Sequence, residues 1–155
     1  MKKILSLLLC AALILSFAAC ARAGAAKQAD LGRVMSDMKS KLTNKEMMDL
    51  SSDDLMPNYG ISTPDVKQFA AHVDSTGVKG DEIVLVEGKD SDAAKRIKEK
   101  LDARYKQKEI EMKDYLPAEY AVLKKCTVKQ NGNYVSLIVS PQYEELNKIY
   151  DSAVQ

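Results

Sequence analysis

The chain carries one histidine, His72, and three cysteines, Cys10, Cys20 and Cys126. These are the side chains with the widest chemical repertoire. His72 could serve as the base in Ser/His/Asp chemistry, but nothing in the sequence fixes a nucleophile or an orienting acid beside it. No HExxH, CxxC, EF-hand loop, GxxxxGK or GxGxxG occurs. Adjacent carboxylates stand at Asp53-Asp54, Asp81-Glu82 and Glu144-Glu145. Sequence neighbours point different ways on a helix or strand, so polar caps and solvated turns account for them. Met35, Met38, Met47 and Met48 form a group that a soft metal would favour. A thioether site usually has histidine nearby, however, and packing is the better reading. No catalytic, metal or cofactor set is expected, and the chain reads as a non-enzyme.

Cys20 has a context of its own. Lys2 and Lys3 precede residues 4–19, a run of 16 residues broken only by Ser6 and Ser16. A positive start followed by an apolar stretch is the pattern of a signal peptide. The run is shorter than the roughly 20 residues of a spanning helix, and small residues follow it instead of a charged stop-transfer cluster. Phe17-Ala18-Ala19-Cys20 resembles a lipobox, in which small residues precede a cysteine whose thiol receives diacylglycerol. Phe17 stands where that motif usually has Leu. The expectation is a signal peptide over residues 1–19, lipid attachment at Cys20, and a location on the outer face of the cytoplasmic membrane. The competing reading is cleavage after Ala21-Arg22-Ala23, which would give a soluble secreted protein. Cys10 leaves with the signal peptide. Cys126 then has no partner, and it reads as a small buried hydrophobe.

Removing residues 1–19 from 155 leaves 136, a length suited to one domain with one core. Lys2 and Lys3 depart with the signal, so 23 basic and 22 acidic residues become 21 and 22. That balance argues against nonspecific nucleic-acid binding, which needs a net basic surface to displace counterions. Residues 20–29 show no apolar periodicity and suit a flexible tether of about 30 Å at most. A single α+β domain is expected over residues 30–155.

Within that domain Asp30 can cap a helix whose stripe is Leu31, Val34, Met38 and Leu42. Ser51-Ser52-Asp53-Asp54 begins a short helix that Gly60 can stop. Thr63-Pro64-Asp65 starts a brief turn, followed by a strand to about Ser75. Ile83-Val84-Leu85-Val86 is apolar on both faces and reads as a central strand. Asp90 and Ser91 cap a long helix with Ala94, Ile97, Leu101, Tyr105 and Met112 on one face. Its other face carries Lys95, Arg96, Lys98, Lys100, Arg104, Lys106 and Lys108. An anionic polymer or lipid head group could bind that face over residues 91–112, but ion pairs from Asp92 to Arg96 and Asp102 to Lys106 favour a simply solvated surface.

Pro117 opens another short helix carrying Tyr120 and Leu123. Asn131-Gly132 predicts a type I′ hairpin pairing Lys129 with Tyr134 and Val128 with Val135. That register gathers Cys126, Val128, Val135 and Leu137 on an inward face and leaves Tyr134, Lys129 and Thr127 outside. Ser140-Pro141 leads into a final helix whose inner side is Tyr143, Leu146, Ile149 and Tyr150. The fold class is therefore α+β: a small, mainly antiparallel sheet of about four strands with helices packed on one face.

The order of Met47-Met48-Asp49-Leu50, Tyr59-Gly60-Ile61, Asp81-Glu82-Ile83, Leu101-Asp102-Ala103-Arg104, Tyr115-Leu116-Pro117-Ala118-Glu119-Tyr120 and Gly132-Asn133-Tyr134-Val135 resembles a family. It is a domain of unknown function found in small lipoproteins of Clostridia and related Firmicutes. The resemblance spans roughly residues 30–150. It implies a lipoprotein in a Gram-positive envelope and brings no activity, substrate or catalytic residue. The function expected is a membrane-anchored extracytoplasmic lipoprotein serving as a protein-interaction module. The alternative is a lipoprotein that binds a small ligand or an envelope polymer. An interaction module would present an apolar patch, and a ligand-binding protein a concave pocket with converging polar groups. The absence of Trp weakens a glycan-stacking version, while seven Tyr keep it open.

Overall fold

The computed structural model describes residues 28–155. The expected signal peptide, Cys20 and nearly all of the expected tether lie outside the described residues. Among the described residues five strands form one sheet: β1 (Met47–Leu50), β2 (Val66–Asp74), β3 (Glu82–Gly88), β4 (Val128–Asn131) and β5 (Tyr134–Val139). Every pairing is antiparallel and the order is β1-β2-β3-β5-β4. The helices are α1 (Leu31–Lys39), α2 (Leu55–Tyr59), α3 (Ser91–Tyr115), α4 (Pro117–Leu123) and α5 (Tyr143–Val154). The fold is α+β.

The start signals operate as their chemistry predicts. Asp30 Oδ1 accepts the Arg33 N–H at 3.0 Å and Asp90 Oδ1 accepts the Ala93 N–H at 2.8 Å. Each satisfies a donor that the first helical turn leaves free. Ser51 and Asp54 form a capping box, and Gly60 ends α2 with φ of +64°.

Two expectations about the sheet need correction. The fifth strand is β1, an edge strand of four residues whose Met48 is half exposed. So short a stretch displays too little alternation to register as a strand. Helices also cover both faces, not one. Val84, Val86, Val135, Leu137 and Val139 pack with Leu55, Tyr59, Ala94, Ile97, Leu101 and Leu123 from α2, α3 and α4. Ile83, Leu85, Tyr134 and Ile138 pack with Leu31, Val34, Met38, Leu146, Tyr150 and Val154 from α1 and α5. The cause lies in β3, whose seven residues are all buried. A strand apolar on both sides cannot leave one side to water.

The hairpin register also differs, by two residues. Asn131 pairs Tyr134, Lys129 pairs Ser136 and Val128 pairs Leu137, so the loop is Gly132-Asn133. Gly132 has φ of +56° and Asn133 is not positive, which fits a type II′ turn with Gly first. A shift of two preserves which side chains share a face. Cys126 is accordingly buried with Val135 and Leu137, as the sequence indicates. Tyr134 is the exception, because α1 and α5 close over it and its hydroxyl accepts the Ala29 N–H at 3.0 Å. The pairs expected along α3 are re-partnered as well. Arg96 binds Asp65, while Asp92 binds Lys95 and Asp102 binds Lys98.

The strand β3 meets α3 closely at Gly88. A Cβ there would stand 2.7 Å from Ala94 N and 3.1 Å from Asp90 O, and backbone atoms cannot swing away. Gly88→Ala should therefore destabilise the fold by about 1–3 kcal/mol, read as a lower urea midpoint with an unchanged m-value.

Candidate functional site

Among the charged groups of the long helix, Arg104 and Lys108 behave unlike the rest. They turn inward from α3 to Glu82, the first residue of β3. Arg104 Nε and Nη2 donate to Glu82 Oε1 and Oε2 at 3.1 and 3.0 Å, and Lys108 Nζ donates to Oε2 at 2.6 Å. Glu82 is 2 % exposed and Lys108 5 %, so their charges are held largely away from water. Burial raises the cost of a charged Glu82, but the charges of Lys108 and Arg104 outweigh it and hold the carboxyl below its ordinary value. Two cations against one carboxylate leave the trio with a surplus positive charge. Burial, reinforced by the charge of Glu82, pushes the nearby Tyr59 phenol far up, so it remains a protonated donor.

Beside this trio lies Asp81, where the β2–β3 loop enters β3. Asn44 Nδ2 reaches Asp81 Oδ2 at 3.4 Å, whereas Oδ1 is buried with no hydrogen-bond partner. Burial above all pushes the Asp81 carboxyl up, the charges of Glu119 and Asp74 add to this, and the Asn44 bond opposes it. The loop itself is held by Asp74 Oδ2, which accepts Thr76 Oγ1 at 2.6 Å and Gly77 N at 2.8 Å, and by Glu119, which accepts Gly80 N at 2.8 Å.

These groups open on a cleft of about 350 Å³ lined by Tyr59, Lys79, Asp81, Glu82, Arg104, Lys108 and their neighbours. The volume lies at the small end of ligand pockets, which run from about 300 to 1,000 Å³. A wider groove of about 720 Å³ runs between α1 and α5 over Val34 and Ile149. The charged residues along it, such as Arg33, Lys41 and Lys148, are all exposed, so it lacks buried polar groups that would orient a ligand.

The other candidates from the sequence are scattered. His72 gains a partner that the sequence did not reveal, since its Nδ1 lies 2.8 Å from Asp49 Oδ1, and Asp49 also accepts Lys39 Nζ at 2.6 Å. The hydrogen bond from Lys39 is the main reason that the Asp49 carboxyl is held below its ordinary value. Asp54 serves its capping box and Glu145 lies 3.4 Å from Lys41 at the surface. Burial pushes the Cys126 thiol up. Met35 and Met38 pack in the core. No group of three or more His, Cys, Asp or Glu side chains arranged to hold a metal occurs among the described residues. No helix among the described residues is long and apolar enough to cross a membrane.

A family model described as a domain of unknown function, DUF4358, matches residues 40–140. The chain belongs to the DUF4358 family. No curated protein and no solved structure is found similar to it. The matched span of this DUF4358 chain contains all five strands and the whole Asp81, Glu82, Arg104 and Lys108 cluster.

The sequence carried a signal for this cluster that helical periodicity alone passes over. Position 108 falls on the apolar stripe through Leu101, Tyr105 and Met112, so a lysine there has to enter the core. Asp81-Glu82, read as a polar turn, is the only one of the three carboxylate pairs in which both members are buried.

Glu82→Gln leaves Arg104 and Lys108 facing a neutral group and should cost about 3–5 kcal/mol in urea unfolding at neutral pH. Because the folded carboxyl titrates below its ordinary 4.5, its contribution is full above that value and is lost as the pH falls below it. The gap between the two proteins should close in acid. Asp81→Asn should show the opposite profile. A carboxyl raised above 3.8 favours the fold below that pH, and the advantage disappears as the pH rises through the raised value. Thermal unfolding from acid to neutral pH should therefore find Asp81→Asn more stable than wild type at pH 7 and equal to it in acid.

Proposed function

We propose that this DUF4358 protein is an exported binding protein of a Gram-positive envelope. In this reading it is anchored through a lipid on Cys20 to the outer face of the cytoplasmic membrane, binds without transforming, and takes a small polar ligand in the Asp81–Lys108 cleft. The observation that carries the ligand reading is the convergence of nearly buried charged groups on a concave site, which is costly to fold around unless something uses it. The protein-interaction reading named a surface of Tyr134, Lys129 and Thr127. Of these Tyr134 is buried, Lys129 is tied to Asp151 at 2.9 Å and Thr127 is exposed, so this surface supports that reading less than the cleft supports a ligand.

The geometry of the chain entry supports the anchored arrangement. Ala29 is fastened beside Gln68 and Tyr134, at the end of the sheet where β3 finishes at Gly88. The cleft is at the other end, where β3 begins at Glu82. Six residue steps of strand separate the two, about 20 Å at the usual rise. A tether attached at Ala29 would therefore hold the cleft away from a membrane.

Expression in a Gram-positive host tests the anchor. Wild type should fractionate with membranes and gain the mass of a diacylglycerol, and Cys20→Ser should lose both. Soluble wild type beginning near Gly24 would overturn it. For the ligand, a thermal-shift screen of small polar metabolites on the mature chain should return a saturable binder. Its amide-exchange protection should concentrate on residues 79–82 and 104–112, and binders that protect none of these residues would overturn the ligand reading.

A further inference from the structure

The charges lining the cleft are divided in a way that specifies more than polarity. Glu82 is fully committed, receiving Arg104 on both oxygens and Lys108 on one. Arg104 spends Nε and Nη2 on it, so that its Nη1 has no hydrogen-bond partner among the described residues. The Lys108 ammonium has three donors and commits only one, to Glu82 Oε2. The trio thus retains donors and a surplus charge, with the Glu111 carboxylate also on the cleft lining. Elsewhere on the cleft lining, Asp74 is saturated by Asn44, Thr76 and the Gly77 and Lys79 N–H groups. Asp81 keeps one oxygen without a donor although the residue is 5 % exposed. The lining of one cleft therefore holds both unspent N–H groups, on Arg104 and Lys108, and a carboxylate oxygen without a donor, on Asp81.

Resting on the cleft reading above, we propose that the cleft recognises a small zwitterion, a molecule carrying both an ammonium and a carboxylate, as free amino acids do. The ligand ammonium is taken by the Asp81 carboxylate, and the ligand carboxylate by Arg104 Nη1 and the free Lys108 donors. Either charge alone would leave the other set of groups unanswered. An anion would meet the uncompensated Asp81 carboxylate, and an amine would meet the surplus cation of the trio. A neutral ligand would leave both buried groups unpaired, which is the costlier outcome. The cleft volume of about 350 Å³ admits a single such molecule and excludes a polymer segment of several residues.

The test is titration calorimetry of the mature chain with glycine, alanine, glutamate, lysine and γ-aminobutyrate. N-acetylalanine, which lacks the ammonium, and alaninamide, which lacks the carboxylate, serve as paired controls. At least one of the five zwitterions should bind with one-to-one stoichiometry. Against alanine, both controls should bind about tenfold more weakly or worse, the loss expected for one charge-assisted hydrogen bond. Asp81→Asn, which removes a buried carboxylate short of donors and should fold at least as well as wild type, should erase the discrimination against N-acetylalanine. Arg104→Lys, which keeps the charge and loses the fork, should weaken alanine more than it weakens alaninamide. If none of the five zwitterions binds while the metabolite screen finds another cleft ligand, the zwitterion assignment fails and the cleft reading survives. If N-acetylalanine binds as tightly as alanine, the site is an anion site and the assignment is overturned. A screen without cleft protection removes both.

Discussion

Glu82 places a full negative charge at the start of the most buried strand in the molecule, and much of the architecture follows from keeping that charge satisfied. An isolated carboxylate in such a place is untenable, because the loss of hydration exceeds what any one hydrogen bond returns. Arg104 and Lys108 solve this together, four residues apart on one face of α3. Their spacing also fixes where α3 lies. A slide of the helix by one residue would rotate both cations off Glu82. At the far end of β3, Gly88 lets the backbone approach Ala94 so closely that no side chain fits between. From position 94 to positions 104 and 108 the helix advances about 15–21 Å. From position 82 to 88 the strand advances about 20 Å. The helix is pinned to the strand at both ends by contacts whose spacings agree.

The other end of β3 repeats the device with different chemistry. Glu87 is buried and accepts Lys67 Nζ at 2.7 Å and Gln68 Nε2 at 2.6 Å. Gln68 also bonds the Ala29 carbonyl and the Leu31 N–H. Here the carboxylate is consumed in fastening the entry of the chain and the start of α1, and its charge is matched by the single cation Lys67. At the Glu82 end there are two cations to one carboxylate. Two buried carboxylates five residues apart on one strand thus differ in the balance of charge around them, one cation at Glu87 and two at Glu82.

How far the sequence discloses this depends on the kind of signal. Capping at Asp30 and Asp90, the left-handed stop at Gly60 and the inward Cys126 were legible, because each rests on a local rule involving a few neighbouring residues. The face assignment of the hairpin survived a wrong register, since β4 and β5 slipped by an even number. The placement of helices on one face did not survive. It treated Ile83-Val84-Leu85-Val86 as central without drawing the consequence that a strand apolar on both sides needs two covering layers. The end of the sheet at Ala29 and the cleft end could not be distinguished at all, because that requires knowing which way β3 runs between Ala29 and Asp81.

The cleft was hidden for a different reason. Eight cations along the long helix look alike in a composition, and a solvated face is the right reading for Lys95, Arg96 and Lys98, which pair near the surface. What separates Lys108 is position: it interrupts an apolar stripe. What separates Glu82 is also position: it opens a run that is apolar on both faces. Each is an isolated violation of the rule that charges stay in water. Two violations of opposite sign, one on a strand and one on the helix that must pack against it, have a single inexpensive resolution, which is to meet. A charged residue on a core-facing position therefore implies a partner of opposite sign on the element it packs against, and the pair is legible once the two elements are known to touch. Arg104 adds the second cation. It is that excess over neutrality, not the buried pair itself, that leaves this end of the sheet with a second cation whose charge the carboxylate does not cancel.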